Sequence, residues 1–137
     1  MGTTSGFRRQ HRELQQLAAS LVREAVRSQA DAVAIRRRLS RFVGKLRVHA
    51  AMETQALYPS LLESPDARVR AKAERLHDEL GPLYGLVDDF VERWDTAERI
   101  DGRRVRFRIE LTRMIAKLGW RMMREDRELY PMADAAD

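Results

Sequence analysis

Residues 46–59 read LRVHAAMETQALYP, and residues 118–131 read LGWRMMREDRELYP. The second stretch repeats the frame of the first 72 positions later. Leu46 matches Leu118, Glu53 matches Glu125, and Leu57-Tyr58-Pro59 matches Leu129-Tyr130-Pro131. Within each copy the recurring positions step by threes and fours, the period of one helix face. That face carries His49 and Glu53 in the first copy and Arg121 and Glu125 in the second, one turn apart in each. Polar residues therefore stand twice, in one register, where an amphipathic helix would place apolar ones. A shorter repeat accompanies them. His11-Arg12-Glu13-Leu14 with Leu17 matches His77-Asp78-Glu79-Leu80 with Leu83, 66 positions on. Segments one and three are of one type and segments two and four of another, which predicts a pseudo-two-fold arrangement.

The rest of the chain supports four helices. Proline and glycine are scarce, and the stretches between them are rich in Ala, Leu, Arg and Glu, all strong helix formers. The first helix is predicted from Ser5 to about Gln29, with Phe7, His11, Leu14, Ala18, Leu21 and Ala25 on one face. The second is predicted from an Asp31 cap to shortly after Pro59, with Ile35, Leu39, Phe42, Leu46, His49 and Glu53 on its stripe. Ser64-Pro65 reads as the cap and first turn of the third, which runs to Trp94 with a kink at Gly81-Pro82. A turn at Arg99-Ile100-Asp101-Gly102 opens the fourth, whose stripe is Phe107, Leu111, Met114, Leu118, Arg121, Glu125 and Leu129. It is expected to loosen after Pro131. Four amphipathic segments with short connections predict one all-α domain over residues 1–137, an antiparallel up-down-up-down four-helix bundle.

Composition removes several classes of function. The chain has 137 residues and no cysteine, so disulfides, thiolate catalysis, zinc fingers and iron–sulfur clusters are out. No run approaches a membrane span, and the first residues lack an apolar leader, so a cytoplasmic protein without a membrane partner is expected. The net charge is +5, with arginine supplying 23 of the 26 basic residues. Two runs are dense, Arg36-Arg37-Arg38-Arg41 and Arg103-Arg104-Arg106-Arg108. Neither carries the aromatic interleaving of a nucleic-acid module, so nucleic acid is not an expected partner. A nucleophile or acid–base signature is absent outside the polar stripe positions.

Those positions carry the chemistry. All three histidines, His11, His49 and His77, lie on or beside a predicted core stripe, as do Glu53 and Glu125. A buried polar group left unsatisfied destabilises by about 1–3 kcal/mol, and a buried charge by more. A metal ion bound by imidazole and carboxylate compensates directly. Mixed His/Glu donors without thiolate suit iron or manganese.

Taken in order and in register, His11-x-Glu13-Leu14, His49-x-x-x-Glu53 with Leu57-Tyr58-Pro59, His77-x-Glu79-Leu80, and Glu125 with Leu129-Tyr130-Pro131 resemble the hemerythrin-like family. The likeness is to its short HHE-type cation-binding domains and covers roughly residues 7–133. It implies a bundle around a non-heme di-iron centre, oxo-bridged when complete. His11, His49 and His77 would be imidazole ligands, and Glu53 and Glu125 would bridge the irons. The ligands implied are dioxygen, nitric oxide or peroxide. Tyr58 and Tyr130 either pack at the bundle end or place a phenol beside the metal.

One position departs from the family pattern. Arg121 stands where the fourth helix should carry histidine, and a guanidinium stays protonated and cannot ligate a metal. Three outcomes follow. Arg121 swings outward and the di-iron site survives with an open position; or one iron is held firmly and the other weakly; or Arg121 pairs with Glu53 and Glu125 in a metal-free bundle.

Overall fold

The computed structural model describes residues 4–27 and 29–136, and every regular element among them is helical. α1 (Ser5–Ala25) is followed by α2 (Ala32–Met52), α3 (Tyr58–Leu62), α4 (Ala67–Leu80), α5 (Pro82–Arg93), the short α6 (Ala97–Gly102), α7 (Arg104–Arg124) and α8 (Tyr130–Ala135). α1 packs against α2 and α7, α5 against α7, and α3 against α4, giving a helical bundle. None of the described helices is long and apolar enough to cross a membrane.

The predicted stripes are the buried faces. Leu14, Ala18, Leu21 and Ala25 of α1 meet Ile35, Leu39, Phe42 and Leu46 of α2 and Phe107, Leu111, Met114 and Leu118 of α7 in one apolar cluster. Asp31 caps α2 as expected, its carboxylate accepting from the Val33 amide at 2.9 Å. Three boundaries differ from the sequence expectation. α1 stops at Ala25, four residues early, where the Arg108 guanidinium donates to the free Ala25 carbonyl at 2.8 Å. Asp66, not Ser64, caps α4 by accepting from Arg68 N at 2.9 Å, while the Ser64 hydroxyl accepts from Asp66 N at 3.2 Å. The proline between them disfavours helical backbone at Ser64, so the start moves downstream. The predicted turn at 99–102 is instead the end of α6, capped by the Thr96 hydroxyl and anchored by fully buried Ile100.

The repeated Leu-Tyr-Pro motifs do something the sequence reading did not foresee. Between α2 and α3, residues Glu53–Leu57 form a π-helical turn, and Glu125–Leu129 form another between α7 and α8. Pro59 and Pro131 have no amide to donate one turn back, and their rings crowd the carbonyl there. The ladder widens instead, with the Tyr58 amide donating to Glu53 O and the Tyr130 amide to Glu125 O. The helices thus continue through both prolines, and each π turn begins at a glutamate of the polar layer.

A second apolar cluster lies beyond those turns, built from Leu57, Tyr58 and Leu61, Ala73, Leu76 and Leu80, and Leu129, Tyr130 and Ala133. Buried His11, His49, Glu53, Arg121 and Glu125 fall between the two clusters along their helices. The chain crosses this layer once more at the predicted kink. Gly81 N donates to His77 O at 2.9 Å, and Pro82 opens α5.

Gly81 is required there by space. A Cβ at this position would stand 2.8 Å from the His77 carbonyl oxygen, whereas one at Gly44 of α2 would meet nothing within 4 Å. Gly81→Ala should therefore destabilise the fold by about 1–3 kcal/mol, and Gly44→Ala should stabilise it by about 0.5–1 kcal/mol. Thermal denaturation of the two variants beside the parent checks both signs.

Candidate metal centre

The polar layer assembles from three directions. α1 supplies His11, α2 and its π turn supply His49 and Glu53, and α7 and its π turn supply Arg121 and Glu125. His11, His49, Glu53 and Glu125 each offer a ligand atom, all within 4.8 Å of one another. Both imidazoles are 1% exposed and both carboxylates 0%. His11 Nε2 lies 3.1 Å from His49 Nε2 and 3.2 Å from Glu125 Oε1, and His49 Nε2 lies 3.4 Å from Glu53 Oε2.

The outer nitrogens show which way the rings are poised. His11 Nδ1 is 2.9 Å from Asp126 Oδ1, and His49 Nδ1 is 2.6 Å from Gln10 Oε1. A carboxylate only accepts, so Nδ1 of His11 carries the proton, and the Gln10 oxygen sets the same tautomer at His49. In neutral rings both Nε2 lone pairs then face each other beside two carboxylates. The Tyr130 hydroxyl, 2.9 Å from His11 Nε2 and 2.7 Å from Glu53 Oε2, has one proton and can satisfy only one of them. Glu125 Oε1 has no hydrogen bond. Two imidazoles with two carboxylates, a nitrogen and oxygen donor set without thiolate, fit a metal ion.

Electrostatics agree. Burial depresses the His49 imidazole, but Glu125 and Glu53 beside it more than offset this and lift it to about 9. Burial raises Glu53, and the neighbouring Glu125 charge adds to the rise against the opposing pull of His49. Burial also acts to raise Glu125, yet His11, His49 and Arg121 hold it below the usual carboxylate range. Burial and both carboxylates push Tyr130 far up, so it remains a phenol and a donor.

Arg121 points inward, which corrects the expectation that it could swing out. It is 4% exposed. Its Nη2 lies 3.5 Å from Glu53 Oε1 and 3.4 Å from Glu125 Oε2, and Nη1 donates to the Leu80 carbonyl at 2.5 Å. Its Cζ sits 3.7 Å above the Tyr84 ring, whose hydroxyl donates to Glu53 Oε1 at 3.3 Å. His77 is the sequence-predicted ligand that the fold does not bring in. Leu76 and Leu80 take the buried face of α4, leaving His77 half-exposed, edge-on to Tyr58 at 5.0 Å. Tyr58 is buried with its hydroxyl unpartnered, and Tyr130 touches the candidate ligands directly.

Sequence reasoning missed Gln10, Asp126 and Tyr84. The signal was available for two of them. Gln10 adjoins His11 and Asp126 adjoins Glu125, yet each orients a histidine on a different helix. Tyr84 gave no signal beyond its place in the third predicted helix. Partners that fix a ligand's tautomer commonly contribute 10–100-fold to metal affinity. Asp126→Ala should therefore weaken metal binding by about that factor, while lowering the stability of ion-free protein by no more than about 1–3 kcal/mol, the cost of leaving the His11 N–H without its partner. Chelator competition and thermal melts of the same preparation check the two halves separately.

The sequence matches the hemerythrin HHE cation-binding domain over residues 3–133, nearly its whole length. No curated protein and no solved structure matches the chain. With that match spanning both polar repeats and the buried His/Glu group between them, the chain belongs to the hemerythrin family.

Proposed function

We propose that this protein holds non-heme iron between its helices, arranged up-down-up-down as in the family, and exposes it to a small ligand: dioxygen, nitric oxide or peroxide. The observation that carries this reading is the convergence of four buried ligand atoms whose outer nitrogens are already tied in the ligating tautomer. The donor set supports iron, being hard and borderline with no thiolate in the chain. When bound, the ion supplies a redox-active Lewis acid to which a diatomic molecule or peroxide can attach.

The chain's own residues do the rest. Phe7 packs on both His49, at 5.8 Å, and Tyr130, at 5.7 Å, and closes the end of the layer against water. Tyr130 keeps its proton and directs it into the group of ligand atoms, where it can donate to His11, to Glu53 or to a polar ligand atom that displaces either contact. Asp126 and Gln10 hold the imidazoles in place. A dry, low-dielectric surround strengthens each of these interactions.

The Arg121 contacts with Glu53 and Glu125 favour a second reading, a metal-free bundle whose carboxylates are neutralised internally. Elemental analysis of protein made in iron-supplemented medium, with its absorption spectrum, separates the two. Stoichiometric iron with near-ultraviolet charge-transfer bands that shift on adding nitric oxide supports the proposal. A metal-free chain that melts at the same temperature with and without iron overturns it. His49→Ala should lose iron and the iron-dependent part of the stability together. That part is about 2.7 kcal/mol when free iron is a hundredfold above Kd.

A further inference from the structure

The two buried carboxylates divide their oxygens between two sides. Glu53 Oε2 and Glu125 Oε1 face the histidine pair, at 3.4 Å from His49 Nε2 and 3.2 Å from His11 Nε2. Glu53 Oε1 and Glu125 Oε2 face the other way, at 3.5 and 3.4 Å from one nitrogen, Arg121 Nη2. This is the disposition of two bridging carboxylates with an imidazole-lined position on one side and a guanidinium on the other. From this geometry we infer that Arg121 is a built-in cation that takes the place of a second metal ion, so that the core binds one ion, at His11, His49, Glu53 and Glu125.

Three further observations support the assignment. The guanidinium is fixed in place. The break at Gly81-Pro82 sends the Tyr84 amide to Gly81 O at 3.2 Å, and the Leu80 carbonyl, left without its usual helical partner, accepts from Arg121 Nη1. Tyr84 lies flat beneath it and braces Glu53 with the same side chain. The Arg121 side also lacks imidazole: position 121 is not histidine and His77 faces outward, so no nitrogen donor remains there for an ion. Charge sets the same limit. Two carboxylates and one guanidinium leave the layer with one net negative charge, which one divalent ion more than covers. A second divalent ion beside a permanent guanidinium would leave a large positive excess in a region closed to water.

The inference rests on the metal reading above, and the test keeps the two apart. Full-length protein is equilibrated anaerobically with excess Fe(II), desalted, and analysed for iron per chain, with a parallel calorimetric titration. One ion per chain is expected. Two ions per chain leave the metal reading standing and overturn this inference; none overturns the metal reading and the inference with it. Arg121→His removes the fixed charge and restores a nitrogen donor, and its count should rise from one to two. Arg121→Lys keeps the charge and should remain at one. Arg121→Met serves as a second measurement if Arg121→His folds poorly. Losing a positive charge beside Glu53 and Glu125 should make the first ion bind at least about tenfold more tightly, whereas a merely structural Arg121 would leave binding unchanged or weaker. A folded Arg121→His that still holds a single ion, or an Arg121→Met that binds no more tightly, overturns the assignment.

Discussion

Glu53 and Glu125, both wholly buried and facing one another across the bundle, set the constraint that the rest of the structure answers. Two carboxylates removed from water repel each other and forgo hydration worth several kcal/mol apiece after relaxation. Few positions in a helical bundle tolerate such a pair, and this one does so because every element around it contributes compensation. α7 brings a guanidinium, α1 and α2 bring imidazoles, and the second π turn delivers a tyrosine hydroxyl. The apolar clusters on either side then act as walls. They keep water out, which makes each compensating contact stronger and any missing one more damaging.

The prolines explain how helices that are otherwise regular present these groups. A straight α-helix running through position 59 or 131 would have to accommodate a ring against its own carbonyl one turn earlier. Widening by one residue relieves that clash and starts at the glutamate in both copies. The same step sets the tyrosines at the head of α3 and α8, where both are buried. Their equivalence ends there. Tyr130 reaches the histidine side and finds two partners, while Tyr58 lies beside outward-facing His77 and finds none for its hydroxyl. Two copies of one sequence frame have become unequal halves of one site.

The parts of the structure that follow from periodicity could be read in the sequence. The apolar stripes, the Asp31 cap, the break at Gly81-Pro82 and the burial of His11, His49, Glu53 and Glu125 depend on residue type and spacing, which are local. What escaped was set by competition between elements. His77 matches His11 in the repeat, but a turn of a few tens of degrees about α4 decides whether the imidazole faces inward, and Leu76 and Leu80 win that face. Arg121 could have extended to solvent on its long stem; the carbonyl freed at Leu80 and the ring of Tyr84, 41 and 37 positions away in sequence, hold it inside. Gln10 and Asp126 act on histidines of other helices, so their role appears only once the helices are packed. The π turns escaped because proline in a helical stretch signals a boundary first, and only tertiary packing lets the helix carry on past it.

The asymmetry bears on what such a core can do. A pair of metal ions bridged by carboxylates is exchangeable on both sides, and its charge changes with the oxidation state of either ion. A guanidinium on one side cannot be removed by chelation, cannot change its charge and cannot bind an exogenous ligand. It holds the Glu53 and Glu125 oxygens that face it at constant charge, whatever happens on the histidine side. Under the proposed metal reading, ligand attachment would be confined to the histidine side of the layer, where the Tyr130 hydroxyl keeps its proton and can donate a hydrogen bond. The fixed cation also stabilises the ion-free protein, because removing a divalent ion leaves one uncompensated negative charge rather than two. Glu53 and Glu125 thus keep a fixed internal counter-charge at Arg121 that does not depend on any bound ion.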